Sequence, residues 1–175
     1  MMNEGLEVIE ARLLFSLDAE QIGIVIHPQS IVHALVEMKD GSVLAQMAQA
    51  DMRVPIACAL AWPERIVSGA DTLDLPALSP LEFQNFDQRR FPCAGLAMQA
   101  MDMGQAAVIA LNAANEVAVD AFPHRRLAFN DIATLVALTL EKARHEPVND
   151  IDAVLHIHET SHTLARECLQ SLASH

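Results

Sequence analysis

Apolar positions in this chain follow a helical spacing at both ends and a strand-like spacing between them. Over 4–15, Leu6, Ile9, Leu13 and Leu14 recur at helical intervals behind an acidic first turn, which predicts an amphipathic helix. Ile22 to Ile26 is a short aliphatic run stopped by Pro28, and it predicts a strand. Two further runs, 31–38 and 42–47, flank Lys39-Asp40-Gly41, and an Asp-Gly turn between such runs predicts a hairpin. From Trp62 to Asp87 the periodicity is lost among Pro63, Gly69, Pro76 and Pro80, so this stretch predicts an extended connector.

Beyond the connector the pattern is helical. Pro92 fits the first position of a helix over 93–103 that Gly104 ends. Asn112 is expected to cap a short helix ending near Phe122. Asn130 is expected to cap another, with Ile132, Leu135, Val136 and Leu140 on one stripe and Lys142 and Arg144 in its last turn. After Pro147, a helix over 161–172 places Leu164, Cys168, Leu169 and Leu172 on one side. The sum is an α+β chain: a helix with an antiparallel sheet over 1–61, a connector over 62–87 and a helical bundle over 88–175.

Composition narrows the function. Hydrophobic residues make up 52% of the 175 residues, enough for a substantial core. The formal charge of −12 opposes both a nucleic-acid backbone and an anionic membrane surface, so neither is expected as a partner. Cys58, Cys93 and Cys168 are widely separated, which predicts reduced thiols in a cytoplasmic protein rather than a disulfide scaffold or a cysteine-based zinc site. The longest apolar stretch, 106–122, is interrupted by Asn112, Asn115, Glu116 and Asp120 and is too polar to span a bilayer. No signal peptide is expected at the start of the chain.

Three groups of residues could carry chemistry. Glu4, Glu7 and Glu10 recur every third position on the first helix; such a face is either solvated or able to hold a hard cation with oxygen ligands from elsewhere. His27 and His33 flank a turn where a strand ends, a place that hosts functional side chains as well as hydrogen-bonded structural ones. His158-Glu159-Thr160-Ser161-His162 matches the H-E-x-x-H pattern of zinc hydrolases. A hydrolytic zinc needs a third protein ligand, only 13 residues follow His162, and Ala165 stands where the extended pattern has glycine. The match also straddles the expected helix start at Ser161, so a solvated histidine cluster is the expectation. Glycines are scattered singly, and no phosphate-cradling loop is formed.

A resemblance adds to this reading. Met1-Met2-Asn3-Glu4-Gly5-Leu6-Glu7-Val8-Ile9-Glu10-Ala11-Arg12, Ile26-His27-Pro28-Gln29-Ser30-Ile31-Val32-His33, Asp40-Gly41-Ser42-Val43-Leu44-Ala45-Gln46 and Asp51-Met52-Arg53-Val54-Pro55-Ile56-Ala57 occur in that order. Ala61-Trp62-Pro63-Glu64-Arg65, Arg90-Phe91-Pro92-Cys93 and Leu111-Asn112-Ala113-Ala114-Asn115-Glu116 follow. Together these blocks resemble the 1-deoxy-D-xylulose 5-phosphate reductoisomerase family over nearly the whole chain.

The resemblance implies a role in non-mevalonate isoprenoid biosynthesis. The family rearranges 1-deoxy-D-xylulose 5-phosphate, a phosphorylated sugar, and reduces it with NADPH to 2-C-methyl-D-erythritol 4-phosphate, with Mg²⁺ or Mn²⁺ as Lewis acid. It implies a homodimer built on the sheet of a central catalytic domain, followed by a connector and a carboxy-terminal bundle. Residue by residue, Glu7 matches a metal ligand that also contacts substrate, and Asn3 an asparagine at the substrate's phosphate end. His33 matches an active-site histidine, taken here as the catalytic candidate, while Ser30 and Met52 match pocket residues. The matched blocks begin inside the family pattern, so the NADPH site, two further acidic metal ligands and the active-site flap are expected outside these 175 residues.

Glu4 stands where the family has a substrate-binding lysine; beside a phosphate this exchanges attraction for repulsion, several kcal/mol at an effective dielectric of about 20. Leu13 replaces a family tryptophan and Ala50 a proline. The expectation is therefore the carboxy-terminal portion of such an enzyme, inactive by itself. The alternative is a non-catalytic self-association module derived from it.

Overall fold

A computed structural model describes residues 2–144 and 146–173. Six helices and four strands follow in the order α1 (Met2–Phe15), β1 (Val25–Ile26), β2 (Val32–Glu37), β3 (Val43–Met47), α2 (Arg53–Ala61), β4 (Gln84–Asn85), α3 (Pro92–Met103), α4 (Gln105–Ala121), α5 (Asp131–Lys142) and α6 (Ile151–Ala173). The α+β class expected from the pattern is the class observed. Two compact units divide the chain: Ile24–Phe86 forms one, and the segments before and after it form the other. The units differ from the division by sequence pattern in two places. Helix α1 packs with the bundle, and residues 62–86 close onto the strands instead of standing apart.

The helical unit is organised around α4, which packs against α3, α5 and α6. Its buried positions are almost all alanine: Ala106, Ala107, Ala110, Ala113, Ala114, Ala118 and Ala121, with Leu111 and Val117 as larger plugs. Small side chains let helix axes approach, and Leu135, Val136 and Cys168 fill the spaces from the neighbours. Thr139 is fully buried, and its hydroxyl is satisfied by donating to the Leu135 carbonyl at 2.8 Å. Gly104 (φ +110°) makes the turn from α3 into α4 in a conformation that L side chains rarely adopt.

Helix α1 meets α3 through glycine and alanine. A methyl built on Gly5 would lie 2.7 Å from the Ala97 Cβ and 3.3 Å from the Ala94 Cα, so the two backbones touch where no side chain intervenes. Val8 and Ile9 complete the buried side of α1, while Asn3, Glu4, Glu7 and Glu10 are exposed. At the far end of α1, Arg12 Nη1 stands 3.8 Å from Asp102 Oδ1 near the end of α3.

Two helices depart from the expected pattern. Asn112 does not start a helix; it lies inside α4 and donates its amide to Glu116 Oε1 at 2.9 Å, which spares the helix an internal competitor for backbone bonds. Helix α6 starts ten residues before Ser161, at Ile151, where the Asp150 carboxylate accepts the Ala153 N–H at 2.8 Å. Its first half is buried only through Ile157 and Ser161, too few large apolar positions for a hydrophobic count to register. The expected cap at Asn130 is positional only, because its side chain makes no capping hydrogen bond.

In the strand unit, β2 and β3 form the expected hairpin. Gly41 (φ +84°) closes the turn, with its N–H donating to Met38 O at 2.9 Å. The Asp40 carboxylate accepts the Ser42 hydroxyl at 2.6 Å and the Ser42 N–H at 2.9 Å, and these bonds hold its pKa below the usual carboxylate range. The expected connector is only partly irregular. Its last residues form β4, antiparallel to β1 with Val25 opposite Asn85 and Ile26 opposite Gln84. Helix α2 was not announced by the pattern, because Arg53-Val-Pro-Ile-Ala-Cys-Ala-Leu-Ala is apolar nearly all round and has no stripe.

The α1–α3 contact yields a test. In an open helix, Gly5→Ala would stabilise by up to about 1 kcal/mol. Against Ala94 and Ala97 it should instead destabilise the helical unit, by about 1–3 kcal/mol as in other overpacked cores. Urea unfolding followed by circular dichroism would measure this; a rise in midpoint would mean that α1 is not seated as described.

Candidate functional site

Asn3, Glu4 and Glu7 lie on the exposed side of α1, opposite the Gly5, Val8 and Ile9 side that binds α3. The helical repeat brings Asn3 and Glu7 together: Asn3 Nδ2 donates to Glu7 Oε1 at 2.6 Å. That bond orients the Glu7 carboxylate and leaves its second oxygen free of this partner. Glu4, one turn before Glu7, adds negative charge to the same helix end. Hard oxygen donors of this kind suit one corner of a Mg²⁺ or Mn²⁺ shell. Among the described residues no three His, Cys, Asp or Glu side chains form a ready-made cage, so Glu7 fits as one ligand and not as a complete site.

The other three expected residues belong to the strand unit. Ser30 ends a tight turn in which its N–H donates to His27 O at 3.0 Å, and it adopts φ +51°. A non-glycine residue in that region costs about 1–2 kcal/mol, so the surrounding turn holds it in place. His33 sits at a register irregularity of the hairpin: Val32 pairs with Met47 and Ala34 with Gln46, which leaves His33 as the extra residue of a β-bulge. Its Nε2 donates to Ala48 O at 3.2 Å. A bulge re-aims a side chain out of the strand's alternation, a placement that two-residue periodicity cannot register.

Met52 leaves the same end of the hairpin, where the Ala48 N–H donates to Ile31 O at 3.1 Å. Its two neighbours are locked together. The Arg53 guanidinium donates to Asp51 through Nη2 at 2.6 Å and Nε at 2.9 Å, and the Arg53 N–H caps onto Asp51 Oδ1 at 2.9 Å. Arg53 therefore holds the Asp51 carboxyl below its usual range. Between the two anchors, the Met52 side chain is 70% exposed.

His27 is a structural residue. Its Nδ1 donates to Glu82 O at 2.7 Å and its ring stacks on Phe83 with centroids 4.8 Å apart. Gln29 adds a second tie, donating to Pro80 O at 3.1 Å and accepting the Glu82 N–H at 3.3 Å. These bonds fasten 80–83 beside the Ser30 turn, and no local sequence signal points to them because the partners are more than 50 residues apart.

The cysteines are free thiols, as expected, and burial pushes the Cys93 thiol upward in pKa, which keeps it protonated at neutral pH. No described helix is long and apolar enough to cross a membrane.

Comparison with known proteins defines the class first. The profile described as the DXP reductoisomerase C-terminal domain matches residues 47–164. The 1-deoxy-D-xylulose 5-phosphate reductoisomerase of Pseudomonas fluorescens is 51% identical over 170 residues, covering 97% of this chain and 43% of that protein. The Cupriavidus pinatubonensis enzyme of the same name is 50% identical, covering 99% of this chain and 44% of that protein.

Among solved structures, a DOX-P reductoisomerase in complex with NADPH, fosmidomycin and magnesium superposes with a TM-score of 0.93 at 43% identity, over 98% of this chain and 44% of that one. The Zymomonas mobilis enzyme in complex with NADPH gives 0.90 at 41% identity, over 98% of this chain and 45% of that one. This chain belongs to the 1-deoxy-D-xylulose 5-phosphate reductoisomerase family. It spans less than half the length of the relatives it matches.

The Asp51–Arg53 clamp gives a measurable titration. A carboxyl lowered in the folded state contributes stability above its unfolded pKa and loses it as pH falls through the folded one. Arg53→Gln should return the Asp51 titration toward 3.8, its ordinary value, when carboxyl carbons are followed by NMR. An unmoved Asp51 curve would show that the clamp does not form in solution.

Proposed function

We propose that this chain supplies the carboxy-terminal portion of a reductoisomerase that converts 1-deoxy-D-xylulose 5-phosphate to 2-C-methyl-D-erythritol 4-phosphate with NADPH. The observation that carries the reading is the Asn3–Glu7 pair, oriented on the exposed side of α1 in a chain of this family. In this reading Glu7 is one ligand of Mg²⁺ or Mn²⁺, and Asn3, while steadying it, contacts the phosphate end of the substrate. A bound cation would act as Lewis acid on the substrate's carbonyl and hydroxyl oxygens. His33, aimed by the bulge, is the histidine at the reacting end; Ser30 and Met52 line the pocket. In this reading 1–61 is the catalytic and dimer-forming part, 62–87 the connector and 88–175 the bundle; this is a division of roles, since α1 packs with the bundle and 62–86 with the strands.

A dinucleotide cradle is not formed by the described glycines. The glycines at 5, 23, 41, 69, 95 and 104 are isolated, and none opens a helix after a strand as a dinucleotide cradle requires. The reductant site is therefore assigned to residues outside this chain, and the 175 residues alone are inactive in this reading. Glu4, where the family carries a lysine, weakens attraction for the substrate phosphate. The reading includes a cytoplasmic location, which free thiols and a phosphorylated substrate would suit.

A second reading, a self-association module, is favoured by one observation. Along the hairpin, the adjacent pairs Leu35 and Val36, and Val43 and Leu44, are 44–60% exposed, so both faces of a two-stranded ribbon present apolar surface. Such a ribbon is marginal alone and gains by pairing. In the enzyme reading the same surface joins a homodimer.

Two measurements test these readings. Joined to the amino-terminal portion of the Pseudomonas fluorescens relative, the chain should yield Mn²⁺-dependent oxidation of NADPH by 1-deoxy-D-xylulose 5-phosphate. Glu7→Gln in that chimera should cost at least about 100-fold in kcat/KM, because the amide keeps the shape and loses the charge at the cation. Near-normal turnover of the variant would remove Glu7 as ligand. Sedimentation of the 175-residue chain at several concentrations should show a dimer or larger species, weakened by Val36→Lys with Leu44→Lys; a well-folded monomer throughout would remove the dimer surface.

A further inference from the structure

The histidines of the H-E-x-x-H match do share a face. The expected helix start at Ser161 is overturned, since α6 begins at Ile151 and carries both His158 and His162 one turn apart. Their rings stack with centroids 5.9 Å apart and an interplanar angle of 29°. Both are half-buried, and the carboxylate of Glu116 on α4 reaches His158: Oε2 lies 3.7 Å from Nε2. Glu116 is itself oriented by the Asn112 amide on its other oxygen. Two imidazoles at i and i+4 can meet one ion without moving the backbone, and a negative oxygen beside them offsets its charge.

We propose that His158 and His162 form a two-imidazole chelate for a divalent transition ion of the Zn²⁺ or Ni²⁺ kind, with Glu116 as its charge partner from α4. Imidazole nitrogen selects these ions over Mg²⁺ and Ca²⁺, which prefer oxygen. No third described His, Cys, Asp or Glu completes a cage, so water would fill the remaining positions, with the Glu116 carboxylate placed to accept a hydrogen bond from it. The site would thus bind an ion without the three protein ligands of a zinc hydrolase, and Glu116 would tie it from α4 to α6.

Calorimetric titration of the tag-free chain with Zn²⁺, beside its thermal unfolding with and without the ion, is the test. One ion should bind per chain and raise the unfolding temperature. His158→Gln and His162→Gln should each weaken binding by at least about ten-fold, the scale on which even outer-shell partners act, and Glu116→Gln by less. His156→Gln and His124→Gln are the controls and should leave it unchanged. Equal loss in a control, or full affinity in His162→Gln, would overturn the site. A measurement without variants stands beside these: Ni²⁺ added to the unaltered chain should broaden the ring signals of His158 and His162 before those of other histidines. Broadening elsewhere first would overturn it as well.

Discussion

The contact on which the described chemistry rests is that of Gly5 with Ala94 and Ala97. There α1 and α3 meet with no side chain between them, and the contact holds the helix that displays Asn3, Glu4 and Glu7. One side of α1 must be nearly smooth for the two backbones to meet; the opposite side is then exposed, and the polar residues there inherit a fixed direction. Helix α4 applies the same rule on a larger scale, with seven alanines turned toward three neighbours. In both places geometry is set by what the side chains lack.

The strand unit uses different means. Its strands are too short to hold themselves, and β1 and β4 pair over two residues each. Order there comes from side chains that reach backbone: His27 and Gln29 to 80–82, Asp40 to Ser42, Asp51 to Arg53. The His27 and Gln29 bonds flank the Ser30 turn and the Asp51–Arg53 bonds flank Met52, with the His33 bulge between them in sequence, while Asp40 and Ser42 secure the far end of the hairpin. Polar side chains near the expected pocket residues thus have a structural duty that composition does not disclose.

Much of the architecture was legible in the hydrophobic pattern, because burial enforces it. The span of α1, the Asp40-Gly41 hairpin, the start of α3 at Pro92 and the α5 stripe all lie where period and punctuation put them, but the α1 stripe does not: Leu13 and Leu14 are exposed, and Gly5, Val8 and Ile9 are the buried side. Misses share a physical cause. Helix α2 has no polar face to reveal its period, α4 hides a buried face in alanine, and the missed start of α6, 151–160, buries only Ile157. Among the candidate residues, the Asn3–Glu7 spacing was readable, since i and i+4 meet on any helix. The left-handed Ser30 and the His33 bulge were not, since a serine gives no sign of positive φ and the bulge is set by the register of β2 against β3.

The alanine lining of α4 also has an entropic side. A buried leucine gives up about 0.5–1 kcal/mol of rotamer freedom on folding and an alanine none. A core assembled from alanine therefore freezes little side-chain motion, but it has no rotamers with which to absorb a change in shape. A leucine-rich core can answer an altered neighbour by repacking; this one can answer only by moving whole helices apart. Its sequence is consequently free to drift on the outside of the bundle and nearly confined to the smallest residues along the seam.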